Sequence, residues 1–271
     1  MYKGKPLLGA NFRRDHPYQK NLSLFYLFNE GGGNIVTDIQ SRVQGTLSGF
    51  THSRGSGWYG SLFGSGIQFN GSPNWITLGQ QDYCQGSFSI SAWIKILATA
   101  DANGSYIFTS DQSLGTGTAA YVRFAYTQAR NLFLKVGSNS SSVITTSTNT
   151  LNLDTWYHVV ATCDSTGTTS TVNIYVNGIK AGTTGSGSHQ SIVVANKYCG
   201  IGAIDYIHTT PLVIGYVQGY IDHLRLYDKR VLTTDDIMNL YNEPFDDFDT
   251  QTKKYYLLPS GTPRSYGFII G

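Results

Sequence analysis

Charge is what this 271-residue sequence has least of: Asp, Glu, Lys and Arg make up 13% of it, about half the roughly one-quarter share of soluble domains. With 19 basic and 17 acidic side chains the formal net charge is +2. No strong field draws such a chain to nucleic acid or to a membrane surface. No stretch approaches the ~20 apolar residues of a membrane span, and the segment from Met1 to Phe12 lacks the apolar run of a secretory signal. The expectation is synthesis in the cytoplasm without a signal peptide. Cysteine is sparse and odd in number. Cys84, Cys163 and Cys199 lack the paired spacing of a zinc site, which points to buried thiols, with a Cys84 to Cys199 disulfide left open for a chain that matures outside a cell. Glutamate is nearly missing, since Glu30 and Glu243 are the only two.

Aromatic residues and glycine fill the gap. The chain holds 19 Tyr, 13 Phe and 31 Gly, with Ser and Thr between short apolar runs, the composition of strands joined by many turns. A period of two dominates: Phe88, Ile90, Ala92 and Ile94 alternate with Ser87, Ser89, Ser91 and Trp93. Leu132, Leu134 and Val136, then Val159, Ala161 and Cys163, then Val172, Ile174 and Val176 repeat the pattern. The last run ends in Asn177-Gly178, a pair suited to a type I′ hairpin because both central residues need positive φ. Leu22 to Phe28, Gly66 to Leu78, Val213 to Gly215 and Tyr220 to Tyr227 complete at least eight candidate strands. The Gly- and Ser-rich stretches around 55–66, 101–118, 139–149 and 183–191 read as surface loops. One short helix is predicted, opened by the capping pair Thr233 and Asp236, carrying Ile237, Leu240 and Tyr241 inward and stopped by Pro244.

The order of several segments resembles the laminin-G-like jelly rolls over approximately residues 21–244. Leu27-Phe28-Asn29-Glu30-Gly31-Gly32-Gly33 with Asp38 and Gly45-Thr46-Leu47 is similar to the opening of these domains. Gly66-Ile67-Gln68-Phe69-Asn70-Gly71 leading to Trp75-Ile76-Thr77-Leu78-Gly79, the Gly86 to Lys95 strand, Trp156 to Thr162 and Tyr175-Val176-Asn177-Gly178 follow in order. The most specific piece is Gly219-Tyr220-Ile221-Asp222-His223-Leu224-Arg225-Leu226-Tyr227 before the helix. The resemblance implies an all-β fold: a two-sheet antiparallel concanavalin A-like sandwich with one short C-terminal helix. The expected division is an extended N-terminal arm over residues 1–20, the sandwich over 21–245, and a C-terminal arm over 246–271.

Glycosidases share this scaffold, but they need two carboxylates flanking the sugar bond. Glu30 and Glu243 lie at opposite ends of the domain, and no Gly-x-Ser-x-Gly elbow, phosphate loop or His-x-x-x-His spacing is present, so the chain reads as a non-enzyme. Asp222 is the exception among bland residues. By alternation with Leu224 and Leu226 it faces the core, where a carboxylate must be paired or neutralised. Its partner is either backbone N–H groups and cations such as Arg225, or, as the resemblance implies, a structural calcium ion, with Glu30 and Asn70 as further candidate ligands. Sugar stacking would use exposed aromatic rings, for which Trp58, Tyr59, Trp75, Tyr83 and Tyr206 are candidates.

The arms complete the expectation. Lys3, Lys5, Arg13 and Arg14 make the first basic, while the acidic residues Asp246, Asp247 and Asp249 read as a solvated linker into an apolar end bearing Tyr255, Tyr256, Phe268 and Ile269. Gly4-Lys5-Pro6-Leu7-Leu8-Gly9, then His16-Pro17, then Phe28-Asn29-Glu30-Gly31-Gly32-Gly33 also resemble laminin-G-like proteins of tailed bacteriophages. That resemblance implies a virion structural protein, decorating a capsid or tail, whose arms grip neighbouring virion subunits or further copies of itself. The alternative is a carbohydrate-binding adhesion domain contacting surface glycans.

Overall fold

The computed structural model describes residues 5–6, 10–40, 42–53, 55–100, 102, 104–112, 120–195, 197–206 and 212–249, with backbone alone at 205, 206, 212 and 213. The strands are β1 Leu22–Tyr26, β2 Ile35–Thr37, β3 Gln44–Ser48, β4 Gly57–Gly60, β5 Ser65–Asn70, β6 Trp75–Gln81, β7 Phe88–Ile96, β8 Ser105–Asp111, β9 Tyr121–Tyr126 and β10 Asn131–Gly137. They continue as β11 Ser142–Thr150, β12 Trp156–Ser165, β13 Thr169–Val176, β14 Ile179–Lys180, β15 Gly185–Ser188, β16 Lys197–Ile201, β17 Ile204–Tyr206, β18 Leu212–Ile214 and β19 Gln218–Asp228, followed by helix α1, Thr234–Asn242. One sheet runs β14-β13-β12-β7-β19-β5-β4, with β1 beside β19 and β15 beside β13. The other runs β11-β10-β9-β8-β16-β6-β3-β2, and β17 and β18 form a separate hairpin.

Alternation places the core between these sheets. Ile90, Ala92 and Ile94 of β7, Ile174 of β13 and Leu224 and Leu226 of β19 enter it from one side, and Phe124, Leu132, Leu134 and Val136 from the other. The outward face of the first sheet is also covered. Trp93, Val160 and Tyr227 lie there under Ile237 and Leu240 of α1, together with Tyr18, Phe245 and Phe248 from the chain ends. Ser91, a polar outward position under this cover, is hydrogen-bonded to His158 at 2.8 Å. Helix α1 begins with the expected capping box: Thr233 Oγ1 accepts from the Asp236 N–H and the Asp236 carboxylate accepts from the Thr233 N–H. Asn177 and Gly178 turn β13 into β14 with φ of 51° and 83°.

Three expectations are corrected. The stretches 55–66, 101–118 and 183–191 contain β4, β8 and β15, and 139–149 holds all but the last residue of β11. In β11 Thr and Ser replace the apolar residues that advertise a strand, yet Val143, Thr145 and Ser147 are buried and Ile144, Thr146 and Thr148 exposed, a clean period of two. The parity inferred for Asp222 is reversed. Asp222 pairs with Trp93 and Arg225 with Ser91, so β19 carries one extra residue between them, with His223 at φ 51°. This bulge moves Asp222 to the outward face. Lastly, the acidic stretch after α1 is not a solvated linker throughout. Asp247 is fully buried, bonded twice by Arg225 at 2.7 and 2.9 Å, so Arg225 serves Asp247 and not Asp222.

Candidate functional site

Among the described residues, no helix lies over the outward face of the second sheet. On β9, β10 and β11 the residues between the core positions are Arg123, Phe133, Lys135, Ile144 and Thr146, and they border an open groove of about 410 Å³. That volume lies within the range of small-ligand sites. Tyr106 of β8 closes one side, its ring edge-on to Phe133 with centroids 6.3 Å apart, and Ala125, Ile204 and Ile214 back it. Two loops lie against these rings only because glycine is there. A Cβ on Gly215 (φ +67°) would collide with the Tyr106 ring, and one on Gly104 (φ +87°) would come within 3.1 Å of Phe133.

The electrostatics of the groove are asymmetric. Arg123 Nε and Nη2 both donate to Asp111 Oδ2, at 2.9 and 2.7 Å. Burial pushes the Asp111 carboxyl above its ordinary pKa while Arg123 opposes the shift. The guanidinium lies 3.9 Å over the Tyr121 ring, and the Lys135 ammonium lies 5.2 Å over the same ring. Tyr121 is anchored beneath them by its hydroxyl, which donates to Ser138 O at 2.6 Å. Both cations and the aromatic rings are thus held in place before any ligand arrives. Such a groove can stack an apolar sugar face on Phe133 and hydrogen-bond or ion-pair its substituents.

None of these residues was singled out from the sequence. The usable signal was Phe133: flanked by core residues Leu132 and Leu134, it occupies a position where a solvent-facing strand residue is ordinarily polar. Of the five aromatic candidates, Trp75 and Tyr83 are buried. Trp58 packs against the core and donates Nε1–H to Gly33 O at 2.8 Å. The side chain of Tyr206 lies outside the described residues. Tyr59 is 42% exposed and stands beside Tyr220 at 6.1 Å, which in turn meets Trp156 at 5.8 Å. These three form a smaller aromatic ridge on the opposite side of the sandwich.

Asp222 has an unexpected partner. The ammonium of Lys5 donates to Asp222 Oδ1 at 2.5 Å, to Phe28 O at 3.1 Å and to Ser65 O, while Ser61 Oγ donates to Asp222 Oδ2. Burial raises Asp222 to about 6, against the pull of Lys5, and burial likewise lowers Lys5. A calcium ion here would have to displace Lys5. Of the other two residues expected to hold it, Asn70 is set apart, pairing with Gln218, four positions or roughly 13 Å along β19 from Asp222, while Glu30 Oε1 accepts from the Thr37 N–H at 2.7 Å. Among the described residues no group of three His, Cys, Asp or Glu side chains is placed to hold a metal.

The basic arm is accounted for in part. Lys5, Phe12 and the turn at 17–19 lie on the protein's own outer sheet, Phe12 bridging to Phe248, and Arg13 reaches Asp246 at 3.7 Å. Arg14 is exposed. Lys3, Tyr255, Tyr256, Phe268 and Ile269 lie outside the described residues. Cys84, Cys163 and Cys199 are buried thiols, and burial pushes Cys163 up to about 11.

No curated protein matches the sequence. Solved structures do match the fold. Domain 4 of AbnA, a GH43 extracellular arabinanase from Geobacillus stearothermophilus solved in complex with arabinotriose, is 18% identical with a TM-score of 0.61, over 82% of this chain and 98% of that one. Trypanosoma rangeli sialidase in complex with sialic acid is 16% identical with a TM-score of 0.58, over 91% of this chain and 36% of the enzyme. Botulinum neurotoxin type C, whose cell entry depends on interaction with two ganglioside molecules, is 15% identical with a TM-score of 0.51, over 82% of this chain and 51% of the toxin chain. Residues 70–238 match the Laminin G 3 family. On that match, and with the two antiparallel sheets it predicts, the chain belongs to the concanavalin A-like lectin/glucanases superfamily.

Proposed function

We propose that the protein is a non-catalytic carbohydrate-binding module whose contact surface is the groove on the second sheet. The observation that carries this reading is the outward Phe133, edge-packed on Tyr106 and flanked by Arg123 and Lys135 on a face that no described helix covers. Rigid aromatic surface with a few fixed polar groups is what a sugar site needs. Two of the similar structures were solved with saccharides, arabinotriose and sialic acid, which supports the same class of ligand. Among the described residues the buried acids are engaged rather than paired for catalysis: Asp38 accepts from two backbone N–H groups, while Asp111, Asp222 and Asp247 are each bonded to a cation. Decoration of a virion calls for arms free to grip neighbours, whereas Lys5 and Phe12 of the first arm are engaged with the chain's own domain.

The test is a glycan array probed with the full chain, followed by calorimetric titration of the best ligand into wild type and Phe133→Ala. Binding that weakens at least tenfold in the variant supports the reading. No saccharide bound, or binding that survives Phe133→Ala and is lost in Tyr59→Ala, overturns it.

A further inference from the structure

The groove's charge narrows the ligand further, on the assumption that it is a sugar site. Among the described residues its lining contains two cations, Arg123 and Lys135, and no carboxylate. Asp111, behind Arg123, takes up that guanidinium through Nε and Nη2. Lys135 has no such partner: its interaction among the described residues is with the face of Tyr121 at 5.2 Å. An aromatic face attracts an ammonium without cancelling its charge. A neutral sugar would have to strip water from this half-buried cation and return only hydrogen bonds. An anion set on the apolar floor would return a charge-assisted bond in a partly desolvated place, where such bonds are strongest.

We infer that the groove selects saccharides bearing a carboxylate, with the acid group on Lys135 and the sugar ring over Phe133 and Ile144. One uncompensated cation matches one carboxylate in the docked segment. A densely sulfated chain would need a row of cations, and none of the other described lining residues is charged.

The experiment titrates three oligosaccharide probes of equal length into the full chain: an oligogalacturonate, its carboxyl-reduced neutral counterpart and a sulfated galactan. Wild type should bind the oligogalacturonate at least tenfold tighter than the reduced form in 50 mM salt, with the gap narrowing as salt screens it. Lys135→Gln should shrink that preference to threefold or less, and Lys180→Gln, on the distant strand β14, should leave it intact. Equal affinity for the uronate and its reduced form, or tightest binding of the sulfated galactan, would overturn the acid preference while leaving the sugar-binding reading standing. Silence toward all three probes and toward the array would sink both.

Discussion

Replacing Lys5 with methionine isolates the buried pair that straps the N-terminal segment to the sheet. The two side chains are 5% and 0% exposed, and removing one member of such a pair typically costs about 3–5 kcal/mol, because the remaining charge is stranded. With an unfolding entropy of roughly 2.1 cal/mol/K per residue, that is a fall in Tm of about 5–9 °C for a chain of this size. The loss must depend on pH. Burial already raises Asp222 to about 6 beside Lys5, and without Lys5 its folded pKa climbs further. A carboxyl with a raised folded pKa contributes stability that is present below its unfolded value near 4 and lost as pH rises through the folded value. Lys5→Met should therefore be most damaging at pH 7.5. At pH 4.5, where the carboxyl can stay protonated, it should cost less than about 2 kcal/mol, the scale of the lost hydrogen bonds. Lys5→Met with Asp222→Asn should recover most of the difference. Urea denaturation at the two pH values reads this out. A loss equal at both, or below about 1 kcal/mol at pH 7.5, would refute the buried-pair argument.

Chelation should leave the wild-type Tm within about 1 °C, because the Lys5 ammonium occupies the place beside Asp222 that a cation would take; a drop of several degrees in EDTA would restore calcium to the site. Gly215→Ala should cost about 1–3 kcal/mol by forcing the Tyr106 ring away, and titration of the bound saccharide should weaken in step; unchanged binding would detach Tyr106 from the groove. His158 is fully buried, and burial lowers its pKa to about 3. The unfolded chain therefore takes up a proton below pH 6.5 that the fold refuses, and stability falls toward pH 3 by up to about 1.4 kcal/mol per pH unit. His158→Gln should flatten the acid limb of a urea-stability profile, and an unaltered limb would contradict the assignment.

Much of the sandwich was legible because its central strands are written in two letters: Phe88, Ile90, Ala92 and Ile94 go in, and Ser89 and Ser91 go out. The Asn177-Gly178 hairpin and the Thr233 cap were readable for the same reason, each being a local device with its own chemistry. Strand β11 was missed because its inward Thr145 and Ser147 look like loop residues. Asp222 was placed on the wrong face because a single inserted residue at His223 resets the parity of everything before it, and nothing in the sequence marks that insertion. The groove was out of reach for a different reason. Tyr106, Arg123, Phe133 and Lys135 come from three strands whose pairing must be known before they become neighbours.

The most direct test is amide chemical-shift mapping by NMR as the best-binding saccharide is titrated into the labelled chain. Sugar binding in the groove predicts shifts concentrated at 121–126, 131–137 and 142–146, three strands contiguous only in the folded sheet. Shifts gathered instead around Tyr59, Tyr220 and Trp156, or scattered without a cluster, would contradict it.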